Sequence, residues 1–197
     1  STDAGAVSGG AGGTASNNAN VGGAGQALGS GFFLMGGTLS ASVGSGSQTI
    51  AGSIADGTAV NASYATGLTK TGSGTLILSG VNSFTGATTV SAGVLRSGVA
   101  GFISDSSAVT VGASATLDLN NTSETIGSLG GAGNVTLGSA TLTAGGDNST
   151  TTHSGVISGS GSLIKSGSGT MTLGGTSTYT GATTINAGKL KVTGNTG

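Results

Sequence analysis

Few side chains of this sequence could take part in chemistry, and their types limit what that chemistry could be. Cysteine is absent, which excludes disulfides, thiolate nucleophiles and cysteine-bound metals. A serine hydrolase triad needs a histidine, and the single one, His153, lies in the polar stretch NSTTTHSGV. Because such a stretch is typical of a turn, we interpret His153 as a solvated turn residue rather than a general base.

The acidic residues could serve polysaccharide cleavage only if the fold brought two of them together, because that reaction uses paired carboxylates. Asp118 lies in TLDLN between two leucines that are predicted to point inward, so its own side chain should face solvent. Nothing in the sequence places a second carboxylate beside it. The six acidic residues are Asp3, Asp56, Asp105, Asp118, Glu124 and Asp147.

Motifs that bind phosphates, nucleotides or metals are also missing. The sequence has no Walker loop, no dinucleotide fingerprint and no G-x-S-x-G elbow despite its 43 glycines. The GGAG stretches that begin at residues 22 and 130 lack the aspartate of calcium-binding β-roll repeats. We therefore predict no catalytic residue, no cofactor and no metal site, and a polysaccharide-active enzyme is the least favoured alternative.

The elements that carry these residues are predicted to be short β-strands. Apolar residues fall in alternating runs such as TLILSG, ATLDLN and NVTLG, which place Val, Ile and Leu on one face and Ser and Thr on the other. No window shows the spacing of three and four that a helix needs. The chain is therefore predicted to be all-β.

The low charge of the chain gives no indication of a charged partner. Only 6% of the residues are charged, the net charge is −1, and the five basic residues are scattered, so we predict no nucleic-acid partner. No apolar run reaches the roughly 20 residues of a membrane-spanning helix, and the N-terminus does not resemble a signal peptide. We expect the chain to be a piece of a longer polypeptide.

An internal repeat is the strongest sign of organisation. Residues 68–95 return as residues 163–190, so that GSGTLILSGVNSFTGATTVSAGVL becomes GSGTMTLGGTSTYTGATTINAGKL. Repetition of this kind predicts a solenoid, a propeller or an array. Propeller hairpins favour Asn-Gly and Asp-Gly turns, but NG never occurs and DG occurs once. We therefore predict a parallel β-helix.

The predicted β-helix has coils of roughly 20 to 25 residues, so that the offset of 95 between the repeats holds about four coils. The whole chain would then form about eight coils and a rod of roughly 40 Å. The side chains predicted to point inward are Leu76, Leu78, Val90, Leu95, Val109, Val111, Leu117, Leu119, Val135, Leu137 and Leu142, followed by Met171, Leu173, Ile185, Leu190 and Val192.

Two regions interrupt this plan. Residues 56–67 are predicted to be a loop insertion within the coils of residues 38–197, and residues 1–37, rich in Gly, Ala and Asn, to start or cap the solenoid. The apolar FFLM cluster at residues 32–35 either packs on an end or flank of the solenoid or contacts a partner. Candidate partner contacts are Phe32, Phe33 and Met35, together with Tyr64 in the insertion.

Threonine rows at residues 88–89, 150–152 and 183–184 could stack from coil to coil. The simpler interpretation is that threonine suits strands and keeps an uncharged rod soluble. A flat threonine array that binds ice or sugars would need T-x-T in every coil, and the uneven coils argue against it.

The repeated block resembles the autotransporter-associated β-strand repeat of bacterial autotransporter passenger domains. That pattern is K-x-G-x-G-T-L-x-L-x-G-x-N-x-[YF]-x-G-x-T-x-[VI]-x-x-G-x-L. The first copy meets it from Lys70 to Leu95, and the second copy, from Lys165 to Leu190, departs at Met171 and Ser177. Serine in place of asparagine should weaken a turn hydrogen bond.

The resemblance implies a right-handed β-helix that is exported across a Gram-negative outer membrane, with a C-terminal membrane barrel as a partner elsewhere in the parent protein. The implied function is an extracellular or cell-surface stalk that presents or contributes to an adhesive surface. An adhesin module whose loops contact host glycans, matrix or sister rods is the alternative, so a glycan or host-surface ligand and self-association are both possible partners.

Overall fold

A computed structural model describes residues 17–20, 27–28, 32–58 and 61–194. These residues wind into a parallel β-solenoid of about eight turns, as predicted. They contain one short 3-10 helix, Ala62–Tyr64, and no α-helix. All pairs of strands between successive turns are parallel, so each backbone hydrogen-bonds to the turns before and after it.

Three faces make up each turn, and the strands are numbered in chain order. The first sheet contains β1 (Asn17–Asn20), β4 (Gly37–Ser42), β7 (Thr66–Thr71), β9 (Thr88–Val90), β11 (Ala108–Val111), β14 (Ser128–Gly131), β17 (Thr151–His153), β20 (Thr170–Leu173) and β22 (Lys189–Val192). The second sheet contains β2 (Ala27–Leu28), β5 (Ser47–Ile50), β8 (Thr75–Leu78), β10 (Gly93–Ser97), β12 (Ala115–Asp118), β15 (Asn134–Gly138) and β18 (Ile157–Gly159). The third face contains β3 (Phe32–Leu34) with β6 (Ile54–Asp56), and β13 (Glu124–Ile126), β16 (Thr141–Ala144), β19 (Ser162–Lys165) and β21 (Thr183–Ile185).

The core is a stack of aliphatic side chains, because alternate residues of every strand point to the inside. All eleven inward residues predicted for the first repeat and the turns after it, from Leu76 to Leu142, are at most 2% exposed. Met171 and Leu173 are buried as well. The alternation of the sequence therefore predicted the core correctly over most of the chain.

Ile185, Leu190 and Val192 keep the predicted inward phase but are less covered than the other inward residues. Ile185 is 53% and Val192 45% exposed, and Leu190 is only partly buried. Both strands keep the inward phase, since Val192 lies beside Leu173. Among the described residues no strand stacks beyond β21 and β22, and alternation alone does not reveal whether a neighbouring turn is present.

Turn lengths explain how the two repeats are related. Partners in the first sheet are mostly 19 to 22 residues apart, such as Val109 and Leu129 with 20, whereas Leu39 and Leu68 are 29 apart. Lys70 lies in β7 of the first sheet, but Lys165, 95 residues later, lies in β19 of the third face. The offset therefore corresponds to four turns and two further faces, rather than the predicted four coils. The second repeat is rotated by one face relative to the first.

Glycine is abundant because the corners of successive turns approach each other closely. Glycines stack on one another at the corner that follows the first sheet. A Cβ on Gly155 would overlap the carbonyl oxygen of Gly133, and a Cβ on Gly175 would overlap the carbonyl oxygen of Gly155. By contrast, a Cβ on Gly44 would meet nothing within 4 Å. Glycine at these positions therefore lets the corners of successive turns stack without a steric clash.

The long turn lies between β6 and β7, and the 3-10 helix lies within it. Residues 1–16, 21–26, 29–31, 59 and 60 are outside the described residues, so the insertion at 56–67 and the segment at 1–37 stay predictions.

Candidate functional site

Two lysines of the repeat are buried inside the solenoid. The Lys70 Nζ donates hydrogen bonds to the carbonyl oxygens of Thr71 at 2.8 Å, Gly72 at 2.8 Å and Ala92 at 3.1 Å. Thr71 and Gly72 form the corner after β7, and Ala92 belongs to the corresponding corner one turn later. We call an ammonium with its three acceptors a lysine clasp. The clasp links two successive turns at a corner where strand pairing ends.

Lys165 forms the same lysine clasp in the second repeat. Its Nζ donates to the carbonyl oxygens of Ser166, of Gly167 at 2.8 Å and of Ala187 at 3.4 Å, which stand at the same sequence distances as in the first clasp. Neither lysine is paired with a carboxylate in the part of the chain that the structure describes. Burial lowers the pKa of Lys70 to about 8, so the ammonium remains the main form at pH 7.

The lysine clasps were not predicted from the sequence, although a signal for them exists. In TGLTKT, Lys70 occupies the inward phase two residues after Leu68, and the same phase relates Lys165 to Leu163. A charged residue in the inward phase of both repeats indicates a specific buried partner.

Asn82 lies on the third face of the first repeat, at a position where this turn has no strand. It is 6% exposed, accepts from the Ile54 amide at 2.6 Å and donates to the Phe102 carbonyl at 2.6 Å, and so joins three turns. Ser177 is its counterpart in the second repeat and accepts from the Ile157 amide at 3.4 Å, while the counterpart of Phe102 lies outside the described residues. The prediction that serine weakens the turn hydrogen bond is confirmed.

Asp56 holds the two ends of the long turn together. Its carboxylate accepts from the amides of Thr66 at 2.9 Å and Thr85 at 2.6 Å, and from the Thr58 hydroxyl at 2.7 Å. Burial alone would raise the pKa of Asp56, but the hydrogen bonds from Thr85, Thr66 and Thr58 together lower it to about 2. Asp56 is thus an anion whose oxygens are occupied by the protein's own donors.

Glu124 has the opposite electrostatic character. It is 3% exposed, and its two oxygens accept from the amides of Gly101 at 2.8 Å and Ile103 at 2.9 Å. Burial raises the pKa of Glu124 to about 7, with a further contribution from the charge of Asp105, although the amide donors act in the other direction. The side chain bridges the part of the third face where no strand forms between β6 and β13.

Within the described residues, the charge of Asp105 is felt at one other carboxylate, that of Glu124, and contributes to its raised pKa. The oxygens of Asp56 and Glu124 point to backbone amides rather than to an open surface. Asp118 points outward as predicted but is mostly covered, because the Arg96 Nε donates to it at 2.7 Å. Over the described residues there is also no group of three or more His, Cys, Asp or Glu side chains that could hold a metal.

The prediction that His153 is a solvated turn residue is wrong. His153 ends β17, is fully buried, and lies inward between Gly131 and Leu173 in neighbouring turns. Neither ring nitrogen makes a hydrogen bond of good geometry. The Gly130 carbonyl is nevertheless close enough to raise the pKa of the ring, against the effect of burial. Burial lowers the pKa of His153 and so disfavours protonation of the ring inside the fold. Gly131 has no side chain, and this leaves room for an imidazole in the aliphatic column.

The four predicted partner contacts differ in their exposure. Phe32 packs against the core, whereas Phe33 is 66% and Met35 63% exposed. Tyr64 is half-buried, and its ring covers Gly57. The turn after Met35 lies beside the backbone of residues 63 and 64, so the end of β3 and the long turn share one corner of the solenoid. Their role as contacts stays a prediction.

No helix in the described part of the chain has the length and apolar character needed to span a membrane.

Comparison with known proteins connects the lysine clasps to a described repeat. The model of the passenger-associated transport repeat matches residues 68–96 and 163–192, which include both clasps. The chain is 44% identical over 168 residues to a protein of Brucella suis biovar 1 (strain 1330) named adhesin BmaC autotransporter. The alignment covers 82% of this chain but 5% of that protein, so the chain spans about a twentieth of this relative's length. No solved structure matches the chain.

Proposed function

We propose that the chain serves as an extracellular stalk of an autotransporter passenger that presents, and contributes to, an adhesive surface, a role supported by its two passenger-associated transport repeats and by its similarity to an autotransporter adhesin. The observation that supports this role best is the pair of lysine clasps. Both repeats use the same buried ammonium to link successive turns, and they do so on different faces of the solenoid. The same residue pattern thus occurs on two different faces of the solenoid. A pattern that is not tied to one face serves the construction of the rod rather than one binding surface.

The mechanism we propose for this role is progressive winding. Each turn packs on the turns next to it, so the rod can grow turn by turn as the chain leaves the outer membrane. The absence of cysteine and the low charge suit such passage, because no disulfide must form or break on the way. In this proposal the remainder of the passenger and a C-terminal membrane barrel in the parent protein are the partners of the stalk.

A structural role is favoured over an enzymatic one by the state of the acidic side chains. Asp56 and Glu124 accept hydrogen bonds from backbone amides with the oxygens that catalysis would need. Asp118 is paired with Arg96. A carboxylate engaged in this way cannot also protonate or attack a glycosidic bond without a rearrangement of the turns.

The stalk role is tested by removing both lysine clasps in the parent protein. Lys70→Met with Lys165→Met should reduce the amount of passenger displayed on the cell surface and increase its sensitivity to protease. Lys189→Met with Lys191→Met removes two exposed lysines and should leave both unchanged. Equal display and equal protease resistance in the two double variants would contradict the proposal.

A second candidate function, direct contact with a ligand, is favoured by the exposed apolar residues Phe33 and Met35. They lie at the corner shared with the long turn, where Tyr64 is half-buried. The ligand would be a host surface, a glycan or another rod.

This candidate is tested with Phe33→Ser and Met35→Ser together, compared with Val81→Ser, which changes an apolar residue that is 64% exposed elsewhere. Adhesion of cells with equal surface display should fall for the first variant alone. If both variants adhere like the original protein, this corner is not the contact.

A further inference from the structure

An open groove lies at the end of the second repeat, where β21 and β22 form part of its wall. It has a volume of about 620 Å³, which gives room for more than one large side chain. We call it the end groove. The residues that line it include Ser177, Tyr179, Gly181, Thr183, Leu190 and Val192.

The same surface exists in the first repeat, but there it is covered. The counterparts of these lining residues, 95 positions earlier, are Asn82, Phe84, Gly86, Thr88, Leu95 and Ser97. Glycine, threonine and leucine are identical in the two copies, and an aromatic ring is kept. Thr88 and Leu95 are fully buried, whereas Thr183 is exposed and Leu190 is only partly buried. The first repeat therefore shows this groove in its occupied form.

The occupant in the first repeat is the segment of residues 101–107, which we call the apolar plug. It belongs to the following turn and forms no strand. Phe102 and Ile103 are both fully buried, so two adjacent side chains fill the interior, whereas a strand buries alternate residues. The Asn82 amide donates to the Gly101 carbonyl at 2.8 Å, and the Asn82 Nδ2 donates to the Phe102 carbonyl at 2.6 Å. The apolar plug is thus held by its apolar pair and by its backbone carbonyls.

A hydroxyl contact completes the binding of the apolar plug. The Ser107 Oγ donates to the Gly86 carbonyl at 2.8 Å and lies 2.9 Å from the Thr88 hydroxyl. In the end groove the matching carbonyl and hydroxyl belong to Gly181 and Thr183. The end groove therefore offers the same polar groups as the occupied groove of the first repeat.

The two grooves differ in one hydroxyl group. Tyr179 stands where the first repeat has Phe84, and its hydroxyl is hydrogen-bonded to the Thr183 hydroxyl at 2.6 Å. This bond occupies part of the hydrogen-bonding capacity that Thr88 uses for Ser107. We therefore expect an apolar pair, rather than a serine, to decide what the end groove accepts.

We propose that the end groove receives an apolar plug from the turn that follows the second repeat in the parent passenger. The proposal rests on the stalk function proposed above, and it names the chemistry of the segment that stacks on this repeat. That segment has two adjacent large apolar residues, and its backbone carbonyls face the groove. Because partners in the first sheet are between 19 and 29 residues apart, the position of the plug is not tied to the interval of 95 residues.

A peptide with the sequence of the apolar plug tests the proposal in trans. Residues 98–112, labelled with a fluorescent dye, should bind the 197-residue chain with a dissociation constant of roughly 100 μM in an anisotropy titration. The same peptide with Phe102→Ser and Ile103→Ser should bind about tenfold more weakly or less. A peptide of residues 132–146 has the same length and covers two ordinary strands, and it should be equally weak.

Two neighbouring threonines of β21 provide a matched pair of variants. Thr183 lies in the inward phase beside Leu163 and lines the groove, whereas Thr184 lies in the outward phase beside Ile164. Thr183→Asp should weaken the binding of the plug peptide by about tenfold or more, because the plug would bury the new charge. Thr184→Asp should leave the binding unchanged.

The proposal is overturned if the plug peptide does not bind at about 1 mM, if either control peptide binds equally well, or if Thr183→Asp binds like Thr184→Asp. It is also overturned if copies of the chain associate with each other and the peptide does not compete, since a second copy would then occupy the groove. If the peptide fails to bind while the lysine-clasp variants still lose surface display, the plug is wrong and the stalk function stands.

Discussion

Lys70 and Lys165 hold the same position in their repeats and make the same three contacts, yet they enter the core from different faces of the solenoid. The lysine clasp is therefore a property of the repeat and not of one sheet. Its geometry depends only on a strand, the corner after it and the same corner one turn later. This independence explains how one sequence pattern can serve on any face.

Replacing Lys70 by methionine should destabilise the protein by about 3 kcal/mol. The substitution keeps a long apolar stem but removes the donor to the carbonyl oxygens of Gly72 and Ala92, while the Thr71 carbonyl still accepts from the Val43 amide. Each buried acceptor without a partner costs about 1 to 3 kcal/mol before water reaches it. Denaturant unfolding followed by circular dichroism measures the loss. Lys191→Met, at an exposed position, should change stability by less than about 0.5 kcal/mol, and an equal loss in both variants would contradict the role of the clasp.

Exchanging Asn82 and Ser177 for each other's residue type should change the stability in opposite directions. Asn82→Ser removes one of two inter-turn hydrogen bonds and lengthens the other, so we expect a loss of about 1 to 2 kcal/mol. Ser177→Asn should instead stabilise by up to about 1 kcal/mol, because the amide of Ile157 now has only a 3.4 Å bond. Thermal melting of both variants checks this prediction. A change of the same sign in both would show that this loop of the repeat does not need the asparagine.

The core could be predicted from the sequence because period-two alternation fixes which side chains share a face. Leu117 and Leu119, for example, are fully buried as expected. The same rule gives the correct phase at Val192 but not its exposure, since burial also requires a turn on either side and alternation does not report neighbours. The rotation of the second repeat could not be predicted either, because it depends on the sum of several turn lengths that vary at the corners.

The polar interior was harder to predict, since polarity normally indicates exposure. Lys70 and His153 both lie in one inward column, together with Val90, Val111 and Leu173. The alternation of apolar residues places Lys70 in the inward phase. Because both repeats have lysine at this position, the phase is a better guide to its burial than its charge is. His153 lies in a stretch so rich in Ser and Thr that no alternation is visible, so the sequence gives no comparable signal.

Glu124 should make the protein less stable as the pH rises through 7. Its pKa lies at about 7 in the folded state against an ordinary value of 4.5, so its stabilising contribution is complete below pH 4.5 and is lost as pH rises through about 7. The full difference corresponds to about 3 kcal/mol. Glu124→Gln mimics the protonated form, and the advantage of this variant over the original protein should grow from pH 5 to pH 8 in denaturant unfolding. A difference that is constant over this range would show that Glu124 titrates normally.

His153 should act in the opposite direction and at lower pH. Its pKa is lowered by burial, so its contribution is present above the ordinary value of 6.5 and is lost as the pH falls through the lower pKa of the folded state. His153→Leu removes a buried imidazole whose nitrogens make no hydrogen bond of good geometry, and it should melt at or above the temperature of the original protein at pH 7.5. The gap between their melting temperatures should widen at pH 5. If the gap narrows on acidification, the imidazole is protonated inside the fold.

Two glycines provide a matched test of how closely the corners pack. Gly155→Ala brings a methyl group against the Gly133 carbonyl and should destabilise by at least about 2 kcal/mol, because backbone cannot move aside as a side chain can. Gly44→Ala adds the same methyl group where nothing lies within 4 Å and should change stability by at most about 0.5 kcal/mol. The two unfolding midpoints decide the prediction, and similar values would show that the corners tolerate side chains.

The rotation between the two repeats has a consequence for any longer rod that keeps the same interval. Each further copy would advance by the same four turns and two faces, so three copies would occupy the three sides once each and a fourth would return to the side of the first. Corner loops such as the one around Asn82 would then follow a slow spiral instead of a straight line. A rod built in this way has no weak flank, and it resists bending about equally in every direction.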